Sequence, residues 1–387
     1  MTVTGRPAMI GNSRTDLPRL TRQDGDTLIV LAPGCIAELA VHLNRLGRNR
    51  AYVITGSSLA SGRVGQTVRE ALGQMMVGMF SGTRPHVPVE TAEQVAHEAH
   101  SLNADMLIGL GGGSPIGTAK AAVSRLAGGS TAADARWLVA AIPTTYSGSE
   151  VTPVFGTTDV VHRRKEVVRN PGVRPRLVLY DPELAIETPP DLTAGTGINA
   201  LAHCVEGLYS TDAGDEERAM AIRAATLLVE HLPKAFARPE DLAHRYHLFE
   251  ASMLAGLVLA RAGMGVHHGL CHVLGGRYNA PHGVLNAIVL PHAMRFNLPV
   301  AGPAYGQLAP VFGLKASDSP RTGEAVCRAV TDFIRQFRLP YRLRELGIPK
   351  TDLLAVAADA LQSPSVRRNP RPLRDARDLL QILEAAW

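Results

Sequence analysis

The chain has 387 residues, 45% hydrophobic and 19% charged, with Lys+Arg 40 against Asp+Glu 35 and a formal net charge of +5. That size and mix exclude a disordered chain, a collagen and a small disulfide scaffold, and at about 100–200 residues per domain they point to two domains. Aromatic residues are only 5% and no block of like charges occurs, so the basic balance does not read as a nucleic-acid-binding arm.

In chain order, residues 1–24 carry Arg6, Arg14, Arg19 and Arg22 but no apolar stretch. They read as an irregular N-terminal extension, not a secretory signal. Residues 27–31 form a short apolar strand closed by Ala32-Pro33-Gly34, and 36–46 place Leu39, Leu43 and Leu46 at helical spacing. A second strand at 51–55 is closed by Gly56-Ser57-Ser58. A helix at 64–75, a third strand at 77–80 and a helix at 91–103 with Thr91 as its N-cap follow. Buried-type strands at 106–110 and 138–142 run into Gly111 and Pro143. Strands alternating with helices predict a largely parallel sheet covered on both faces. Mixed polar and β-branched residues at 154–168 suggest a surface hairpin, and 177–180 is a last strand.

From about 186 the pattern is helical: 193–209, 216–232, 242–260, 265–274, 284–296, 321–337, 351–361 and 373–386. The expected architecture is α/β over 25–185, Rossmann-like with a parallel sheet, then an all-helical domain over 186–387. No apolar run reaches the roughly 18 residues of a membrane span. Cys35, Cys204, Cys271 and Cys327 lie too far apart for a zinc ribbon or a disulfide framework, so a cytoplasmic protein with reduced thiols is expected.

Four motifs carry chemistry. Gly111-Gly112-Gly113-Ser114 follows a strand and opens a helix. Backbone N–H groups there can approach an anion closely, and the helix dipole favours a pyrophosphate. Pro143-Thr144-Thr145-Tyr146-Ser147-Gly148-Ser149-Glu150 follows the next strand, at the sheet edge where open α/β sheets bind ligands. It also reads as a capped turn, with Ser147 or Ser149 as N-cap. Asn199 and His203 share one helix face, as do His268 and His272 in His267-His268-Gly269-Leu270-Cys271-His272. His282 and His292 follow. Five histidines between 267 and 292 point to a metal or proton-transfer site more than to isolated core histidines.

These motifs, in this order, resemble the iron-containing (group III) alcohol dehydrogenase superfamily, with a fold related to dehydroquinate synthase. The resemblance runs from about residue 28 to the C-terminus. It implies a nicotinamide cofactor, NADH or NADPH, held by Gly111, Gly112, Gly113 and Ser114 and by Thr144 and Thr145. Tyr146, Ser149 and Gly56 complete the expected cofactor contacts. The superfamily's metal site is Asp with three histidines; here these positions are Asn199, His203, His268 and His282. An amide is a poorer donor than a carboxylate and offsets no charge, so no resident metal is expected, although three imidazoles could still hold zinc or, less readily, iron.

One branch has Asn at that position, the maleylacetate reductases. Asn199-Ala200-Leu201-Ala202-His203-Cys204-Val205-Glu206 resembles their wording, and Lys165, Arg169 and Pro175 fall where that branch has K…GRD…P. The resemblance implies reduction of the activated C=C of maleylacetate or a related keto or enoyl acid. His203, His268, His272 and His282 would form the catalytic pocket, and Arg169 would grip a substrate carboxylate. The expected partners are a small carboxylate substrate and a second copy in a homodimer, with no nucleic acid and no membrane. Val168 and Asn170, which flank Arg169 where Gly and Asp are usual, depart from the branch. A metal-dependent alcohol dehydrogenase or aldehyde reductase, and a lyase or cyclase without net redox, stay open on the same fold.

Overall fold

The first strand, β1 (Leu20–Asp24), pairs antiparallel with β2 (Thr27–Leu31), with Asp24 opposite Thr27. The turn is therefore the two residues Gly25-Asp26. Gly25 sits at φ +56, the left-handed conformation that such hairpins demand. This corrects the reading of 1–24 as an extension throughout, because 20–24 belong to the sheet. This computed structural model describes residues 17–130, 136–162, 164–317 and 319–387, so the rest of that extension, 1–16, lies outside the described residues. Asp24 accepts from Arg174 and from Arg261 (2.6 Å), which ties the hairpin to both halves of the chain.

The chain then runs through α1 (Leu39–Arg45), β3 (Ala51–Ile54), α2 (Ser57–Ser61), α3 (Arg63–Leu72), β4 (Met76–Phe80) and α4 (Val89–Ser101). It continues with β5 (Met106–Gly111), α5 (Gly113–Leu126), β6 (Leu138–Pro143), β7 (Val154–Asp159), β8 (Arg164–Arg169) and β9 (Leu177–Tyr180). Seven strands form one sheet in the order β1-β2-β9-β6-β5-β3-β4, parallel apart from β1. The central strands β2, β9, β6, β5 and β3 are mostly apolar and buried on both faces, as a sheet covered by helices requires. β7 and β8 form the expected separate hairpin. From β3 the chain steps outward to β4; from β5 it steps the other way to β6. The reversal opens a crevice between the carboxyl ends of β3 and β5, the usual ligand position in such sheets. Thr91 is not the cap of α4. The helix starts two residues earlier, after Pro88, and Thr91 is buried inside it, accepting from Arg84.

After β9 the described residues contain no strand. They form α6 (Pro190–Tyr209), α7 (Asp215–Ala237), α8 (Leu242–Ala262), α9 (Val266–Tyr278), α10 (His282–Gly306), α11 (Pro320–Arg335), α12 (Leu353–Leu361), α13 (Pro364–Arg367) and α14 (Ala376–Ala386). α6 is buried along almost its whole length, as a helix apolar all round must be. α10 runs ten residues past the expected end of 296 and carries Pro291, Pro299 and Pro303. Among the described residues no single helix is long and apolar enough to cross a membrane.

The two halves share a core. Ile29, Val178 and Tyr180 of the sheet lie in one apolar cluster with Ile198, Leu201 and Phe249 of the helices. Arg245, fully buried on α8, donates to Tyr146 Oη (2.9 Å), Thr193 Oγ1 (2.8 Å) and the Pro239 carbonyl (2.9 Å). The loop after β6 is thereby fastened to the helical half.

Candidate functional site

The cofactor side is built from the ends of β5 and β6. Gly111 sits at φ +129, a conformation that a side chain rarely adopts. It turns the chain from β5 into α5, whose N-cap, Gly112, offers no side-chain cap. The first N–H groups of α5 are therefore open to an anion. A Cβ on Gly112 would come within 3.1 Å of Thr145 Oγ1, which is buried without a hydrogen-bond partner. Across from Gly113 lie Ser147 Oγ and Ser149 Oγ, 3.7 and 3.9 Å from where a Cβ would stand. Two loops distant in sequence thus form a bare, hydroxyl-lined cradle, which fits a dinucleotide pyrophosphate. Gly56 stands at the end of β3, across the crevice, bridged to Gly82.

Tyr146 does not join this cradle. It is fully buried, packs on Phe249 and is held by Arg245. The expectation that it contacts the cofactor is corrected: consecutive loop residues point opposite ways, and this one faces the core. Glu150, also fully buried, accepts from Tyr180 Oη (2.9 Å), Ser252 Oγ (2.9 Å) and Ser147 Oγ (3.2 Å). Burial pushes its carboxyl pKa up.

The histidine side is assembled by α6, α9 and the start of α10. Asn199, His203 and Glu206 lie at i, i+4 and i+7 on α6, so they face the same way. Gly195 and Gly283 bring α10 onto α6 backbone to backbone: a Cβ on Gly283 would meet the Gly195 carbonyl carbon at 2.6 Å. That approach seats the start of α10, where His282 comes beside His272 and His268 of α9. His203 stacks on His268 (centroids 4.7 Å), His272 stacks on His282 (5.6 Å), and His268 lies 6.2 Å from His282. The four expected histidines are brought together. His292 is not; it lies further along α10, among Arg295 and Arg342.

His203 and His268 are each 2% exposed, whereas His272 and His282 are only partly buried. Burial holds all four imidazoles below their usual pKa; His268 adds to this at His203, and Lys165 at His272 and His282. His268 Nδ1 donates to Glu206 Oε2 at 2.5 Å, leaving Nε2 without a partner. Glu206 also accepts at Oε1 from Tyr209 Oη (2.7 Å), Gly265 N (3.0 Å) and His267 N (3.2 Å). Burial alone would raise its pKa; the bonds from His267 and His268 outweigh burial and hold it well below the carboxylate range. His267 is pushed up to about 10: burial opposes this, but Cys271 and Glu206 prevail. Sequence reasoning gave no role to Glu206, although its place three residues after His203 on the same face was a usable signal.

Arg169 is not brought to the histidines. It is exposed on β8 and donates to the Ala260 carbonyl at the end of α8 (3.0 Å). The expected carboxylate grip is corrected; this guanidinium fastens the hairpin to α8. The cation that does reach the cluster is Lys165, four residues earlier on the strand.

Four buried atoms of the cluster are candidates for a divalent metal. His203 Nδ1, His268 Nε2, His282 Nδ1 and Asn199 Oδ1 are buried without partners, which a ligand could satisfy. The rest of the geometry does not fit. Among the described residues the one group of three residues with ligand atoms within 4.8 Å of one another is Glu206, His267 and His268, whose carboxylate and facing Nδ1 atoms are already engaged with one another. His203, His268 and His282 do not converge that closely. Asn199 Nδ2 donates to the Ser147 carbonyl at 3.0 Å. A carboxylate would repel that carbonyl, so this position is built for an amide.

The fold and the family define an NAD(P)H-dependent oxidoreductase, with a hydroxyl-lined glycine cradle on the sheet edge and a histidine cluster on the helices. Residues 26–182 match the iron-containing alcohol dehydrogenase model, and 193–387 match the C-terminal model of the Fe-containing alcohol dehydrogenase family. The chain belongs to the iron-containing alcohol dehydrogenase family, near its maleylacetate reductase branch. It is 34% identical to maleylacetate reductase of Burkholderia cepacia over 92% of this chain and 94% of that protein. It is 35% identical to maleylacetate reductase 1 of Cupriavidus pinatubonensis over 92% and 93%. Among solved structures, maleylacetate reductase from Agrobacterium tumefaciens superposes with TM-score 0.80 at 31% identity, covering 96% of this chain and 98% of that one.

Proposed function

We propose that this chain is an NADH- or NADPH-dependent reductase acting on the activated C=C of maleylacetate or a closely related keto or enoyl acid, without a resident metal. The observation that carries the reading is Asn199: its amide is committed to the Ser147 carbonyl, where a metal-binding relative would need a carboxylate. We propose further that 25–185 and 186–387 act as cofactor and catalytic domains, with the reaction in the cleft between them.

Gly111, Gly112, Gly113, Ser114, Thr144, Thr145 and Ser149 would hold the cofactor, with Gly56 towards its ribose end. The reduced nicotinamide, when bound, supplies a hydride. The chain's own residues then have two tasks. As hydride adds to the alkene carbon, charge moves through the conjugated ketone to its oxygen, and a placed N–H donor stabilises it. A proton must also reach the neighbouring carbon. His272 and His282, the less enclosed pair, stand where substrate can meet them. Held neutral, each keeps one N–H that can donate a hydrogen bond to the developing enolate oxygen, as neutral imidazole does in other enolising enzymes. His203 and His268 form the rigid floor. Glu206 fixes the His268 tautomer through Nδ1, which leaves Nε2 as the unpartnered acceptor.

Cofactor oxidation at 340 nm, followed with maleylacetate and a panel of keto and enoyl acids, tests this. The expected outcome is turnover unchanged by EDTA. Turnover of none of these acids, or alcohol oxidation that needs added zinc or iron, would overturn it. No carboxylate stands at Thr55-Gly56-Ser57-Ser58 to repel a 2′-phosphate. NADPH is therefore expected to serve, with kcat/KM within a hundredfold of NADH.

A further inference from the structure

Two lysines of this chain are deeply surrounded by protein, and they are treated oppositely. Lys120 on α5 is fully buried and donates to the carbonyls of Ser149 (2.6 Å), Thr152 (2.8 Å) and Val154 (3.0 Å) and to Thr152 Oγ1 (3.3 Å). Its charge is spent on holding the 149–154 loop. The Lys165 ammonium on β8 makes no hydrogen bond or ion pair among the described residues. It nevertheless keeps some access to solvent.

Its place is set by glycine. A Cβ on Gly276 would meet Lys165 Cβ at 2.9 Å and its backbone N at 3.1 Å, so the hairpin rests directly on α9. Gly276 follows His272 by four residues, and His272 follows His268 by four. Lys165 therefore stands over the helix face that presents those two imidazoles. A Cβ on Gly156, across the hairpin, would meet Lys165 Cε at 2.7 Å, so the side-chain stem is held from that side too. The neighbours that feel its charge are His86, His268, His272 and His282, and only Cys271 offsets it. Burial pulls its pKa down to about 8, which still leaves the ammonium mostly charged near neutrality. A surrounded cation with no anion beside it costs free energy that a ligand carboxylate would recover.

We propose that Lys165 holds a carboxylate of the substrate above the imidazole floor, the role that sequence reasoning assigned to Arg169. This rests on the reading above that the substrate is a keto or enoyl acid. The ammonium supplies a charge-assisted bond, while the imidazoles, being neutral, leave it as the positive end of the pocket. A substrate anchored there at one end presents its conjugated ketone towards His272 and His282.

The test compares wild type with Lys165→Met and Lys165→Arg. Binding of adipate, an unreactive dicarboxylate, is read by its effect on the fluorescence of bound NADH, and KM is measured separately for maleylacetate and NADH. For Lys165→Met, adipate Kd and maleylacetate KM should rise about ten- to a hundredfold, the size of a lost bond to a charged group. NADH binding should stay within about twofold, and Lys165→Arg should retain most of the adipate affinity. Unchanged adipate Kd and maleylacetate KM in Lys165→Met would overturn the proposal while leaving the reductase reading intact. A wild type that reduces no keto or enoyl acid would instead overturn that reading, and one that also binds no adipate would overturn both. If Lys165→Met fails to fold, Lys165→Gln and Gly276→Ala decide. The latter keeps the ammonium but lifts it from α9, and it too should weaken adipate binding without weakening NADH binding.

Discussion

At the scale of single residues, Asn199 and Glu206 carry the most consequence. Asn199→Asp replaces a donor to the Ser147 carbonyl with an acceptor. The expected cost is about 1–3 kcal/mol of stability, the usual penalty for leaving a buried polar group unpaired. The same change supplies the charge that a divalent ion needs. Metal analysis after incubation with Zn²⁺ should therefore find more bound metal in Asn199→Asp than in wild type, and equal contents would argue against the amide as the deciding ligand position. Glu206 is a different case. Its carboxylate is buried and faces the raised imidazole of His267. Glu206→Gln leaves that imidazole charged without a counter-ion, a change that typically costs about 3–5 kcal/mol. Denaturant titration should show this loss, whereas Glu38→Gln, which breaks an exposed pair with Arg19, should cost about 0–1 kcal/mol.

At the scale of elements, the approach of α10 to α6 decides whether a site exists. His282 opens α10, and only the glycine pair Gly195 and Gly283 lets the two backbones meet there. Gly283→Ala forces them apart, because the new methyl would contact backbone atoms, not a yielding side chain. The expected result is a loss of about 1–3 kcal/mol and a fall in kcat with NADH affinity preserved, since the cradle lies on the other side of the cleft. Unaltered kcat would mean that His282 is not positioned by this crossing. The same elements show what was legible beforehand. Apolar strands ending in glycine at 111 and proline at 143 announced a parallel sheet and its loops. Helix-face spacing announced that Asn199 and His203 share one face and His268 and His272 another, while only the family resemblance joined the two pairs. The strand at 20–24 was hidden because its five residues are mostly polar and only pairing with β2 makes them a strand. Side-chain direction was hidden as well. Tyr146 and Arg169 sit in the right segments but face the core and the end of α8, which no spacing within one segment reveals. Lys165 stood in the K…GRD…P pattern, but its place over the imidazoles became visible only when α9 came up beneath the hairpin.

At the scale of the whole molecule, the histidines couple stability to pH. His86, His231 and His292 are each held down to about pKa 4. Burial is the main cause in all three, helped at His231 by His247 and His244, and the four site imidazoles are depressed as well. An unfolded chain would protonate them near pH 6.5. Between that value and about 4, the unfolded state takes up protons that the folded state refuses. Stability is therefore fully present above about pH 6.5 and is lost progressively as pH falls, each such histidine adding up to about 1.4 kcal/mol per pH unit to the slope. His231 is the cleanest probe because it lies away from the cleft: its Nδ1 is 3.0 Å from that of His244, and its ring stacks on His247 at 4.3 Å. Protonating that stack places like charges in contact within the α7–α8 packing. His267 acts in the opposite sense: its raised pKa contributes below about 6.5 and is lost only as pH rises through about 10, so it does not blunt the acid limb. The melting temperature should fall steeply from pH 6.5 to 4.5, and His231→Phe, which keeps a stacked ring but cannot take a proton, should shallow that fall. A melting temperature flat across the window would show that these imidazoles are not held neutral by the fold.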